Sequence, residues 1–394
     1  MLNYWNFPAE IVEGPGAAGQ LADWVRRLGA ARPLIVGDAG VSSLDWFKSL
    51  WEQLKADFPA AGLFLEVRPN PGLRDALSGA AAIRAGGHDL VIGLGGGSPM
   101  DAAKGMVLAL KADPRAFEWS VALDRFPYLA DYPRLDLLPL IQIPTTAGSG
   151  AELSREAVLV DEERRIKLIV THRDLLARVV LLDPALQTGL PVGLTAATGM
   201  DALTHHIEAY CSPLSQPMCE AIALEGIRLI REALPRAVAQ GSDLSARGDM
   251  IRASAMAAVA FQKGLGGVHA LAHPLGARFG LHHGLLNAVL LPYVLHANRS
   301  AIEDRLGRLG AYIGLRDSSF RGVMRWLLDL CREVGIPHTL AALRLKQDES
   351  EWVGSAAAGD HSSADTNPLP LTAADYSAIY VRAVRGEGLD AYKL

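Results

Sequence analysis

Apolar positions in the first half of the chain change period every few residues. PLIVGD (33–38) is a short apolar run closing on a turn, and SLDWFKSLWEQLKADF (43–58) then takes helical spacing. GLFLEVRPNPG (62–72) returns to a strand pattern and stops at Pro-Asn-Pro, after which RDALSGAAAIRAGG (74–87) is helical and closes on glycines. HDLVIGLGGGS (88–98) reads as a buried strand running into glycines, PMDAAKGMVLALKAD (99–113) as a helix, and LLPLIQIPTT (137–146) as another strand. Such alternation predicts βαβ units and a mainly parallel, Rossmann-like sheet. EAVLVDEERRIKLIVTH (156–172) has the pattern of a hairpin with a charged turn, and RVVLLDPAL (178–186) is a last strand.

Beyond about residue 187 the strand signals stop. Ala/Leu/Ile/Met-rich helical stretches follow at 193–211, 216–239, 247–262, 268–279, 284–297, 300–312 and 319–334. The end of the chain, including SSADTNPLP, reads as loop before a final helix at 372–385. The change of texture predicts an α/β domain over 1–187 and an all-α domain over 188–394, and 394 residues suit two cores better than one.

Charge narrows the partners. A net charge of −5, with no basic run longer than Arg164-Arg165, argues against nucleic acid and anionic membrane. No apolar run approaches the ~18 residues that span a bilayer. MLNYWNFPAEIVEGPG lacks the basic start and apolar core of a signal peptide. Three cysteines, Cys211, Cys219 and Cys331, are too few and wrongly spaced for a disulfide framework, so a reducing cytoplasm is expected.

Two regions carry candidate chemistry. In GLGGGSPMDAAK (93–104), Gly95, Gly96 and Gly97 link a buried strand to a helix. Ser98 reads as the N-cap, Pro99 as the first helical residue and Asp101 as the partner in a capping box. Glycines there admit a ligand close to the backbone, and N–H groups at a helix start favour an anion such as pyrophosphate; a merely tight turn would use the same residues. Asp38 ends an early strand, where an acid can accept from ribose hydroxyls or simply close a turn. IPTTAGSGAELS (143–154) offers Thr145, Thr146, Ser149 and Ser154 to a nucleotide, or to solvent as a surface loop.

The second region is GMDALTHHIEAY (199–210). Asp201 and His205 stand four residues apart and so share a helical face. Alone they suit a capping carboxylate and a core histidine. GGVHALAHPLGARFGLHHGLL (266–286) adds His269, His273, His282 and His283, with His269 and His273 again on one face and His283 opening a new helix. One carboxylate and three imidazoles in apolar helices cost several kcal/mol unless something neutralises them, and Zn²⁺ or Fe²⁺ would do so.

These segments, with GPGA (14–17), the PNP turn (69–71) and LDP (182–184), follow in the order found in the iron-containing, group III metal-dependent alcohol dehydrogenases, which the chain resembles over nearly its whole length. The resemblance implies an α/β dinucleotide domain followed by an all-helical metal domain, the fold shared with dehydroquinate synthases. It implies Asp201, His205, His269 and His283 as metal ligands and His273 as an extra histidine near the metal that relays a proton. Asp38, Asn70, Gly96, Gly97, Ser98, Thr145, Thr146, Ser149, Ser154 and Lys167 fall where that family contacts its dinucleotide. Ser149 and Ser154 stand where Thr is frequent in the family; the hydroxyl is retained.

The expected activity is hydride transfer between an alcohol carbon and a nicotinamide, with the substrate oxygen on a divalent metal, Fe²⁺ or Zn²⁺. Asp38 favours NAD over NADP, because a 2′-phosphate would face a like charge. A homodimer or larger homo-oligomer is expected. A metal-dependent hydrolase, or a lyase of dehydroquinate synthase type, is the alternative.

Overall fold

The computed structural model describes residues 9–121, 131–164 and 166–392. The first eight residues, part of the stretch read for a signal peptide, and Arg165 of the charged hairpin turn lie outside them. The chain forms two compact units, Met1–Thr146 with Gly150–Thr188, and Ala147–Ser149 with Gly189–Leu394, each taken over its described residues.

The first unit holds β1 (Glu10–Glu13), β2 (Pro33–Val36), β3 (Gly62–Phe64), β4 (Leu90–Gly95), β5 (Leu140–Pro144), β6 (Glu156–Asp161), β7 (Ile166–Thr171) and β8 (Val179–Leu182). Six of them make one sheet in the order β1-β8-β5-β4-β2-β3, every pair parallel, while β6 and β7 form the expected antiparallel hairpin. The helices are α1 (Leu21–Arg27), α2 (Ala39–Ser42), α3 (Asp45–Asp57), α4 (Leu73–Gly86) and α5 (Gly97–Ala109).

Side chains alternate across a strand, so each face of the sheet has its own cover. Ile92 and Leu94 of β4 and Ile141 and Ile143 of β5 share a core with Trp24 and Val25 of α1 and Phe47 and Leu54 of α3. On the opposite face, a Cβ at Gly93 would lie 3.2 Å from Ala103 Cβ, which places α5 there. Each fully buried Leu or Ile contributes roughly 1.5–3 kcal/mol.

Three local expectations are corrected. The strand begun at Gly62 ends at Phe64, because its partner β2 ends at the paired Val36, and the Pro-Asn-Pro turn with Asn70 left-handed at φ 54° comes after it. β1 and α1 form in a stretch where no element was expected. The helix after the glycines starts at Gly97 with Gly96, not Ser98, as its N-cap, and no side chain caps it. Gly95 at φ 144° completes the turn early. Asp101 consequently takes no part in a capping box; it is buried one turn from Lys104.

The second unit is helical: α6 (Val192–Cys211), α7 (Pro217–Ala239), α8 (Leu244–Ala260), α9 (Gly267–Phe279), α10 (His283–Ala297), α11 (Arg299–Tyr312), α12 (Phe320–Glu333), α13 (Ser350–Ala358), α14 (His361–Ala364) and α15 (Ala373–Arg385). α6 is central, packed against α7, α8 and α10. α13 and α14 are short, Ser/Ala-rich helices where no helical period was visible. Among the described residues no helix is long and apolar enough to cross a membrane.

Candidate active site

Three helices of the second unit meet at one point. α6 carries Asp201, His205 and Glu208 at i, i+4 and i+7, a single stripe on its buried face. α9 carries His269 and His273, and α10 opens with His283. Gly284 permits the close approach, since a Cβ there would stand 2.4 Å from Ala197 O and 2.9 Å from Asp201 Cβ. One ligand-type atom from each of Asp201, His205, His269 and His283 then lies within 4.8 Å of all the others. The neighbouring histidines do other work. His206 Nε2 bonds Ala253 O at 2.8 Å on the far side of the helix, and His282 accepts from Leu285 N as the N-cap of α10.

The electrostatics of this cluster suit a cation. Asp201, His205 and His269 are buried. Burial holds the His205 imidazole down at about 4, against the pull of Asp201, so it stands neutral with a lone pair to offer. His269 Nδ1 bonds Glu208 Oε2 at 2.5 Å. Burial also lifts the Glu208 carboxyl to about 7, against the backbone N–H of Val268. Asn287, fully buried on α10, donates from Nδ2 to Asp201 Oδ1 at 2.7 Å and stands 3.1 Å from Nε2 of both His269 and His283. A donor at that distance matches Nε2 atoms that carry inward lone pairs. The donor set, one carboxylate and three imidazoles, fits Fe²⁺ or Zn²⁺.

His273 stands beside this group and outside it. Its ring stacks on His283 at 5.3 Å between centroids, and its Nδ1 bonds Asp360 Oδ2 at 2.7 Å. Ser362 donates to the other oxygen of Asp360. Burial works against the Asp360 charge, yet His273 and Ser362 hold its carboxyl below the usual range. Sequence reasoning missed Glu208, Asn287, Asp360 and Ser362. Glu208 had a signal, the continuation of the Asp201–His205 stripe by three residues; Ser362 sits in a segment read as loop, and Asp360 lies just before it.

In the first unit, β2, β4 and β5 are parallel neighbours, so Asp38, the glycine turn and Thr145–Thr146 all follow carboxyl ends at one edge of the sheet. β3 extends the sheet to one side of β2 and β4 begins the other, so the β2–β4 gap is the topological switch point where nucleotides bind in doubly wound folds. Asp38 Oδ1 accepts from Val41 N at 2.9 Å, while a Cβ at Gly95 would lie 3.5 Å from Asp38 Oδ2. Thr145 N donates to Gly95 O at 2.8 Å, and a Cβ on Gly96 would come within 3.6 Å of the Thr146 side chain. Asn70 N donates to Ser98 Oγ at 3.3 Å. Asp38, Asn70, Gly96, Gly97, Ser98, Thr145 and Thr146 are thus brought together.

These contacts do not tie the remaining nucleotide candidates to that group. Ser154 is buried; its hydroxyl accepts from Lys104 Nζ at 2.9 Å and donates to Glu156 O at 3.0 Å. Lys167 pairs with Val160 across the hairpin, and its charge acts on Asp101. Ser149 belongs to the second unit.

Comparison with known proteins agrees with this geometry. The model of the iron-containing alcohol dehydrogenases matches residues 8–184, and that of the C-terminal part of the Fe-containing alcohol dehydrogenase family matches 195–384. Long-chain-alcohol dehydrogenase 1 of Geobacillus thermodenitrificans is 38% identical over 98% of each chain. The crystal structure of a 1,3-propanediol oxidoreductase, 31% identical, superposes with a TM-score of 0.89 over 97% of this chain and 100% of that one. That of sulfoacetaldehyde reductase from Bifidobacterium kashiwanohense in complex with NAD⁺, 26% identical, gives 0.85 over 97% and 99%. The hydrolase alternative finds no support among them, and none of the three is a lyase. The chain belongs to the iron-containing alcohol dehydrogenase family, and its chemistry is metal-dependent oxidoreduction of an alcohol with a nicotinamide nucleotide.

Proposed function

We propose that the chain interconverts a primary alcohol and its aldehyde, using Asp201, His205, His269 and His283 to hold the metal and the β2–β4 edge to hold NAD. The convergence of those four ligand atoms within 4.8 Å carries this reading. The substrates named for the three relatives, long-chain alcohols, 1,3-propanediol and sulfoacetaldehyde, support the class. A divalent cation there supplies Lewis acidity to the substrate oxygen, and the nicotinamide exchanges the hydride.

The chain's own groups do the rest. Asp201 would offset one charge of the cation, and His205, His269 and His283 would each offer it a ring nitrogen. Asn287 keeps Asp201 oriented. His273, tied through Nδ1 to Asp360, has Nε2 left to take or return the alcohol proton. Gly96, Gly97 and Ser98 present backbone N–H groups and a hydroxyl to the pyrophosphate, with Asn70, Thr145 and Thr146 around it. Asp38 Oδ2 meets the ribose and disfavours a 2′-phosphate. Ser149, Ser154 and Lys167 extend the nucleotide contacts, and the Ser154 hydroxyl also accepts from Lys104 Nζ and donates to Glu156 O.

The same reading includes a cytoplasmic enzyme that is at least a dimer. Among the described residues β1 pairs on one side only, with β8, and it carries Ile11 at 44% exposure on that sheet edge. The test is turnover of a graded set of primary alcohols and aldehydes with NAD(H) and NADP(H), after loading with Fe²⁺ or Zn²⁺, with light scattering for mass. Metal-dependent turnover with NAD supports the proposal; turnover that survives complete metal removal sinks it.

A further inference from the structure

Of the three imidazoles assigned to the metal, His269 alone has Nδ1 bonded to a carboxylate among the bonds described above. His205 Nδ1, also buried, has no hydrogen-bond partner. The carboxylate on His269 is Glu208, 5% exposed, which reaches across from α6 to α9. Its Oε2 takes the Nδ1 proton at 2.5 Å, and its Oε1 accepts from Val268 N at 2.7 Å. Val268 is the second residue of α9, so one side chain both caps the free N–H groups of that helix and grips the ring one residue further on. Asn367 Oδ1 completes the cap, accepting from Gly267 N at 2.9 Å.

We infer that Glu208 is a positioning residue for the metal centre: it fixes His269 as the Nδ1–H tautomer and thereby aims the Nε2 lone pair at the site. Two observations agree. With Glu208 ionised both its oxygens accept, one from Val268 N and one from the ring, which puts the ring proton on Nδ1. On the other edge of the ring, Asn287 Nδ2 stands 3.1 Å from Nε2, and because an amide nitrogen only donates, a protonated Nε2 would set N–H against N–H. Glu208 shares its helix with two other ligands, so it also locks α9 in register with α6. An anionic partner on the outer nitrogen raises the basicity of the ligand and restrains its rotation.

This rests on the metal-centre reading, and the experiment separates the two. Glu208→Gln keeps the size and an acceptor for Val268 N, but it turns an N–H toward His269 Nδ1 and so favours the opposite tautomer. Metal-free full-length wild type and variant are compared by Zn²⁺ and Co²⁺ affinity in competition with a chelator, by thermal melting, and by histidine ¹⁵N spectra. The expected result is a roughly 10–100-fold loss of affinity, with metal-free melting close to wild type and the His269 proton moved from Nδ1 to Nε2. Glu208→Ala should lose the cap as well and melt lower. Unchanged affinity in Glu208→Gln, an unchanged tautomer, or a fall in metal-free stability that accounts for the lost affinity would each overturn the assignment. A wild type that takes up no metal would defeat the metal-centre reading instead, and the ¹⁵N spectra would still decide the role of Glu208.

Discussion

Two of the buried polar clusters among the described residues, one in each unit, differ in what neutralises them. In the first, fully buried Lys104 donates to Ser154 Oγ at 2.9 Å and Glu156 O at 2.6 Å and lies 3.7 Å from Asp101 Oδ1. Burial lifts Asp101 to about 6 and Glu152 to about 7, and it depresses Lys104. The cluster contains its own cation. In the second, Asp201 is joined by three imidazoles and by another carboxylate, Glu208, rather than by an ammonium or guanidinium. A buried set that balances itself is a strut between α5 and the hairpin; a set that lacks a positive charge is shaped to receive one.

That contrast can be broken most directly at His269. His269→Ala should abolish metal uptake and lower turnover roughly a thousandfold or more, as expected when several kcal/mol of Lewis-acid stabilisation disappear, with the circular dichroism spectrum kept. Metal content and turnover close to wild type would remove His269 from the centre. Lys104→Met attacks the other cluster. Stranding its carboxylates should cost about 3–5 kcal/mol of stability, seen as a lower urea midpoint, while the metal bound per folded molecule stays the same. A variant that unfolds no earlier would show that Lys104 is not the strut.

The pH dependence of stability sharpens the difference. Asp101 takes a proton more readily folded than unfolded, because burial raises its carboxyl from 3.8 to about 6. Its contribution is fully present below the unfolded value and is lost as pH rises through about 6. Asp101→Asn should therefore flatten the fall in stability between pH ~4 and ~6, a change on the order of 2 kcal/mol at most; an unaltered slope would refute it. The smallest effect is expected at the nucleotide edge. Asp38→Gly removes a like charge from the 2′-phosphate and should raise kcat/KM for NADP about tenfold, or ~1.4 kcal/mol, with NAD use reduced. Unchanged NADP kinetics would remove Asp38 from cofactor choice.

Much of this was readable in the chain. The change of hydrophobic period near residue 187 anticipated the passage from a parallel sheet to helices, because period reports which faces are covered. The cluster of Asp201, His205, His269 and His283 was readable because histidines at helical spacing are rare in apolar segments, and motif order tied their two segments together. The glycine turn was located correctly but its cap was not, since Gly95 and Gly96 permit a turn that ends two residues sooner than Ser98 suggests. Ser154 resembles a ligand hydroxyl in sequence, and only packing shows it held by Lys104, fifty positions away.

The amino-acid order by itself determined most of the elements, their alternation and the kinds of donor available, because propensity, periodicity and capping act over a few residues. Only the tertiary structure decided which partner each buried polar group meets: Glu208 with His269, Asn287 with Asp201, Asp360 with His273. Those pairs are separated by between 61 and 87 positions. Hydrogen bonds form over about 3 Å, and residues so far apart along a chain come that close only after whole helices have packed.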